Sequence, residues 1–301
     1  MQNDFARNLR FLVSGVVFFI LSAANAYVTP KEYYYGEHFL SDYQSGQLKD
    51  SDLLDRLHVI LKSTHIKNKG TYDTIGSSCT KEGGCQAHTS LGYDLARKYL
   101  FGSIHLEQNS SGEYTVQDVY CEKYFTNKDF GGGNNIGPGT VPRSGDVLNT
   151  EHTWPQSRFT SRFSSHMQKS DLHHLYPTDS KLNSTRSSLR FGDVDKDIEN
   201  LKCNQNRLGT QNGSSEVVFE PPTAHKGNVA RAIFYFAVRY QMKLSPNEEK
   251  SLRAWHIADP VSDFERKRND MVEDLQGNRN PFVDYPELLN GIKVFTFATT
   301  K

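Results

Sequence analysis

Asn149-Thr150-Glu151-His152-Thr153-Trp154-Pro155, then Asp171-Leu172-His173-His174-Leu175-Tyr176-Pro177, then Ser180-Lys181-Leu182-Asn183-Ser184-Thr185-Arg186-Ser187-Ser188-Leu189, is the stretch that decides the fold. Val147 and Leu148 lead into the first piece as a short strand, and Pro155 stops it, since proline cannot donate to a strand ladder. The second piece reads as another short strand. The third reads as a helix beginning near Thr178–Ser180. Strand, loop, strand and helix form a compact unit able to bring Glu151, His152 and Asn183 to one point. Neighbours on a strand face opposite sides. Glu151 and His152 therefore share a site only if the strand ends or bulges there, or if one of them acts through water.

These residue types suit phosphodiester chemistry. Hydrolysis needs an activated water and an offset for the phosphate charge. A neutral imidazole can take the proton near neutral pH, a carboxylate and an amide oxygen are hard ligands that suit Mg²⁺, and a guanidinium can hold phosphate bidentately. Four of the eleven histidines (His152, His166, His173, His174) fall in this stretch. Between 152 and 190, Arg158, Arg162, Lys169, Lys181, Arg186 and Arg190 stand against Asp171 and Asp179, a local net of +4. The whole chain has 35 basic and 35 acidic residues, so an anionic partner has to be met by a local basic face.

Outward from this centre, the chain of 301 residues shows no repeat and no linker that divides it into compositional halves, and its 18 Phe and 15 Tyr can build a core. Residues 1–26 read as an export signal: Arg7 and Arg10, an apolar run from Phe11 to Leu21, and Ala24-Asn25-Ala26 as the cleavage pattern. The mature chain, 27–301, reads as one α+β domain with no membrane span. Residues 44–66 predict an amphipathic helix with Ser51 and Asp52 as candidate caps, and 91–106 a helix running into a strand, with Tyr93, Leu95, Tyr99 and Leu100 in the core. Thr115–Tyr120 alternates as a strand, while 131–145 and 204–215 read as turn-rich loops. Asn228–Lys243 predicts a helix burying Val229, Ile233, Phe236 and Tyr240. Cys79, Cys85, Cys121 and Cys203 in an exported chain point to two disulfides; proximity favours Cys79–Cys85, which leaves Cys121–Cys203.

The chain resembles the bacterial endonuclease I family, periplasmic and secreted non-specific nucleases with a ββα-metal (His-Me finger) core. The resemblance rests on NTEHTWPQS at 149–157, DLHHLYP at 171–177 and the Asn183 helix with Arg186, followed in family order by FEPP at 219–222, ARAIFYFAVRY at 230–240 and QGNRNPFVD at 276–284. It covers most of 90–285 and puts the ββα core at about 147–192. It implies His152 as general base, Glu151 and Asn183 as ligands of one Mg²⁺ (Mn²⁺ or Ca²⁺ can take the same place), and an arginine from the loop between the two strands to stabilise the cleaved phosphate. That loop reads as short and offers Arg162 or Arg158. The implied activity is hydrolysis of double- and single-stranded DNA, and of RNA, by a monomeric enzyme in the periplasm or outside the cell, leaving 5′-phosphate and 3′-hydroxyl ends. Some family members are richer in disulfides, so the pairing does not carry over.

Further readings stay open beside this one. His173, Arg186 and Arg279 are candidates for substrate contact, against a buried histidine, a structural ion pair and a stabilised turn respectively. Trp154 and Trp255 read as packing residues and Glu220 as a structural contact. The order Glu151-His152 is not the H-E-x-x-H of a zinc peptidase, and no G-x-S-x-G is present. The alternative from another class is a non-catalytic exported DNA-binding protein using the same basic face.

Overall fold

The computed structural model describes residues 30–78, 84–143, 145 and 147–297; the expected signal at 1–26 lies outside them. The elements that build and hold the site are, in chain order, helix α1 (Asp50–Lys62), strand β1 (Leu148–His152), helix α2 (Ser165–Ser170), strand β2 (Leu175–Asp179), and helices α3 (Ser180–Arg186), α4 (Thr223–Arg239), α5 (Pro246–Ala258) and α6 (Asp263–Gln276). β1 and β2 pair antiparallel, with Glu151 opposite Tyr176 and His152 opposite Leu175. α3 follows β2 directly because Asp179 caps it, accepting from the backbone of Lys181 at 3.0 Å and Leu182 at 3.1 Å. The result is the expected ββα unit inside an α+β fold. Around it lie two three-stranded antiparallel sheets and a four-stranded sheet in the order Lys196–Glu199, Arg207–Thr210, Val217–Glu220, Arg190–Phe191, whose last pair is parallel.

α4 is the spine. The predicted stripe of Val229, Ile233, Phe236 and Tyr240 is buried, but so is every residue from Val229 to Arg239, so the helix is enclosed on all sides. The main core gathers around it, drawing on residues from Tyr34 to Phe295. A buried guanidinium requires partners. Arg231 binds Glu265 bidentately at 2.7 and 2.6 Å, and Arg239 donates to His88 Nδ1 at 2.8 Å. α6 opens on a capping box between Ser262 and Glu265 and closes on Gly277 in the left-handed region, φ 85°. Only glycine fits there, because a Cβ would lie 2.5 Å from the Ala87 carbonyl oxygen.

Several sequence expectations change. α1 is shorter than 44–66 and is preceded by Lys49, so Ser51 and Asp52 lie inside its first turn; the chain then leaves the helix to form strand Thr64–Ile66. Leu95 is 40% exposed, because helix Tyr93–Tyr99 turns Ala96 and the following Leu100 to the core. The expected strand at 115–120 is observed as Tyr114–Gln117. Residues 204–215 contain strand Arg207–Thr210, held between two partners, and this pairing overrides local turn propensity. Gly209 itself is required there, since a Cβ would sit 2.1 Å from the Lys196 carbonyl oxygen. Cys121 and Cys203 form the expected disulfide with Cα atoms 5.2 Å apart. Cys85 is also disulfide-bonded, Cys79 lies outside the described residues, and among the described residues no cysteine is free.

Candidate active site

β1 ends at His152, which resolves the problem of opposed faces: Glu151, His152 and Asn183 all line one cleft of about 530 Å³ at the open end of the hairpin. The segment between the strands, expected to be short, runs through 153–174 and contains α2. Its end is pinned by Asp171, which is fully buried and accepts from Tyr235 and Tyr240 hydroxyls at 2.9 Å each and from Gln276 at 2.9 Å. Asp171 also caps a single 3₁₀ turn, Leu172–His174, so β2 starts at Leu175, later than the sequence reading put it.

His152 is 7% exposed. Its Nε2 lies 3.1 Å from the Lys169 carbonyl oxygen, which can only accept, so Nε2 carries the proton and Nδ1 keeps its lone pair. Gln156 Nε2 approaches that Nδ1 at 3.4 Å. Burial, reinforced by neighbouring His174, holds the imidazole well below its usual range, so the ring is neutral and can accept a proton. The rings of Tyr93 at 5.5 Å and His174 at 5.4 Å fix its plane.

Glu151 is 1% exposed. Its Oε1 accepts from the Tyr120 hydroxyl at 2.9 Å and pairs with Arg186 Nη1 at 2.9 Å. Burial nevertheless raises its carboxyl above the ordinary value, and Arg186 offsets that rise in part. Its Oε2 is buried without a hydrogen-bond partner, a costly state unless a cation or donor meets it. Asn183 donates Nδ2 to the Thr150 carbonyl at 3.1 Å, which turns its amide oxygen the other way. A carboxylate oxygen without a partner and an amide oxygen in the same cleft fit a hard divalent cation. Among the described residues no three His, Cys, Asp or Glu side chains converge as a metal-holding group. A cation here would therefore complete its shell with water and phosphate, which is the habit of Mg²⁺.

Other predicted contacts lie elsewhere. Arg158 donates to Glu248 at 3.2 Å and stacks over Trp154 at 4.7 Å. Arg162 reaches the Gln241 carbonyl. Neither lines the cleft, so the loop arginine expected to meet phosphate is not presented there. His173 is 1% exposed, with Nε2 3.0 Å from the Asn278 carbonyl, and burial lowers it to about 4; it is enclosed and cannot touch substrate. His174 is likewise buried, its Nε2 2.8 Å from the Gln168 carbonyl. Arg279 is neutralised by Asp284 and Asp270 at 2.7 Å each and by Glu273 at 2.5 Å, and does not line the cleft. Arg186 does line it, yet its guanidinium is spent on Glu151 and on the carbonyls of His152 at 2.9 Å and Thr153 at 2.5 Å. It clamps β1 to α3. Trp154, Trp255 and Glu220 are packing or structural residues as read. The sequence reading missed Tyr93, Gln156 and Lys169 as cleft residues. Lys169 left a signal as one charge in the basic stretch and Gln156 as part of the 149–157 motif, whereas Tyr93, read as core, is half-buried and lines the cleft.

Among the described residues no helix is long and apolar enough to cross a membrane. A family model described as Endonuclease I matches residues 84–287. An extracellular ribonuclease of Bacillus subtilis (strain 168) is 34% identical over 157 residues, 46% of this chain and 51% of the relative. Endonuclease-1 of Buchnera aphidicola subsp. Acyrthosiphon pisum (strain APS) is 30% identical over 116 residues, 38% of this chain and 44% of the relative. An extracellular deoxyribonuclease of Aeromonas hydrophila is 32% identical over 116 residues, 38% of this chain and 48% of the relative. The chain spans about half the length of the curated relatives it matches. The matched region takes in both strands and the helix of the ββα unit along with α4 and α6 behind it, and the chain belongs to the endonuclease I family.

Proposed function

We propose that the protein is an exported endonuclease that hydrolyses phosphodiester bonds of DNA and RNA without sequence preference, using one Mg²⁺. The observation that carries this reading is His152 presenting Nδ1 as an acceptor, met at 3.4 Å by Gln156 Nε2, in the same cleft as the unpartnered carboxylate oxygen of Glu151. Relatives named as an extracellular ribonuclease, an extracellular deoxyribonuclease and a periplasmic deoxyribonuclease support both the substrate class and export.

The chain's own groups divide the work. The Lys169 carbonyl fixes the tautomer of His152, and Nδ1 removes a proton from water. The water oxygen bonds to phosphorus, the P–O3′ bond breaks, and the departing oxygen takes a proton from solvent, leaving 5′-phosphate and 3′-hydroxyl ends. Glu151 and Asn183 would hold the cation, which supplies charge stabilisation at the phosphate and the leaving oxygen when bound. Arg186 and Tyr120 keep the Glu151 carboxylate ionised and oriented. The polar side chains and Lys169 that line the cleft favour phosphate-led binding and weak sequence preference.

Incubating the protein with supercoiled plasmid and Mg²⁺, with and without chelator, tests the reading. Nicking and degradation that stop with chelator are expected. A plasmid that is shifted on a gel and never cut would identify a non-catalytic binder instead.

A further inference from the structure

An anionic substrate requires positive charge where the reaction occurs, and the cleft's guanidiniums do not supply it. Arg158 and Arg162 are tied off outside, and Arg186 is buried against Glu151 and two carbonyls. Among the described residues that line the cleft, Lys169 is the remaining cation. Its ammonium rests 4.4 Å from the centroid of the Tyr93 ring. A ring face holds a half-exposed ammonium only weakly, so the charge is free to move to a stronger partner. Lys169 is also the residue whose carbonyl orients His152. The carbonyl that orients the base and the mobile ammonium thus belong to one residue of α2. Beyond Lys169 the cleft opens into a second cavity of about 640 Å³ that shares Tyr93, Gln156 and Lys169 and adds Asp94, Phe159, Ser165 and His166.

We propose that Lys169 is the catalytic cation of this chain. Its ammonium leaves the Tyr93 ring to contact the scissile phosphate, and the second cavity receives the adjoining nucleotide. The inference rests on the nuclease reading above. A lysine meets phosphate as a compact point charge on a long flexible stem, which suits a group that has to travel from its perch to the substrate.

Lys169→Met keeps the stem and the backbone carbonyl and removes only the charge; Lys169→Arg restores a charge. Rates on duplex and single-stranded oligonucleotides are measured against salt, with melting temperature as the control for folding. For Lys169→Met, kcat should fall about 10²–10³-fold, the effect of removing one group aimed at developing charge. The slope of log affinity against log salt should shrink by about 0.9 on duplex and about 0.7 on single strands, as for one lost phosphate contact. Lys169→Arg should recover most of both, and neither variant should change the melting temperature. A Lys169→Met protein that cuts within about threefold of wild type, with an unchanged salt slope, overturns this proposal alone. A wild-type protein that leaves both substrates intact with Mg²⁺ overturns the nuclease reading beneath it.

Discussion

Replacing Arg186 with Met removes a side chain that is only 1% exposed and holds four acceptors: Glu151 Oε1 at 2.9 Å, the His152 carbonyl at 2.9 Å, the Thr153 carbonyl at 2.5 Å and, at 3.5 Å, the Ser187 carbonyl. Methionine fills much of the volume, so the loss is electrostatic. Glu151 would remain buried with the Tyr120 hydroxyl as its one donor. Breaking a buried pair from one side costs about 3–5 kcal/mol, and the stranded carbonyls push toward the upper end. Burial already raises the Glu151 carboxyl and Arg186 opposes the rise, so the variant should respond in part by protonating Glu151. A neutral acid holds a cation poorly, and cation affinity should fall with stability. The assay is urea unfolding of wild type, Arg186→Met, Glu151→Gln and the double variant. Since the neutral glutamine no longer needs the guanidinium, the double variant should lose less than the sum of the singles, with coupling above about 1 kcal/mol. An Arg186→Met protein that loses less than about 1 kcal/mol, or singles that simply add, would refute the claim that Arg186 exists to hold Glu151 ionised.

Removing the Cys121–Cys203 bridge by a double serine substitution frees a loop with a sequence separation of 82, which loop-closure entropy values at about 4–5 kcal/mol; urea midpoints of oxidised and substituted protein measure it, and a difference below about 1 kcal/mol would mean that the unfolded chain is already constrained. His58 and His256 are each buried and lowered to about 4, so between pH 6.5 and 4 the unfolded chain binds protons that the folded chain refuses, and stability must fall as pH falls through that window. Each should remove about 2 kcal/mol between pH 7 and pH 5, and a flat stability profile across that range would contradict their burial as neutral rings. Asn183→Ala should raise the Mg²⁺ concentration needed for half-maximal cutting, with partial rescue at high Mg²⁺; an unchanged requirement would remove Asn183 from the cation site.

The ββα unit was legible because its signals are local: a proline stop, two short strands and a helix that follows directly. The spine α4 was legible from its period, although its total enclosure was not, since that depends on elements distant in sequence packing on every side. That Glu151, His152 and Asn183 would meet in one cleft could be read from residue type and spacing. Positive charge was misassigned for a physical reason. Sequence counts charges but does not show which are consumed, and Arg158, Arg162, Arg186 and Arg279 are each engaged by an acid or a carbonyl contributed from elsewhere. Tyr93 was unreadable for a similar reason: it comes from a helix more than fifty residues before β1 and meets His152 only in the folded chain. His173 and His174 looked alike in sequence, and a one-turn cap at Asp171 is what withdraws both of them from the cleft.

The central claim is that Nδ1 of His152 takes the proton from the attacking water. The direct measurement is the initial nicking rate of His152→Ala under saturating Mg²⁺, with DNA affinity measured on the same preparation. The rate should be lower by about 10²–10⁴-fold, with affinity close to wild type because the basic residues are untouched. Near-normal turnover would contradict it, and His173 and His174, enclosed in the turn before β2, are not placed to take the role.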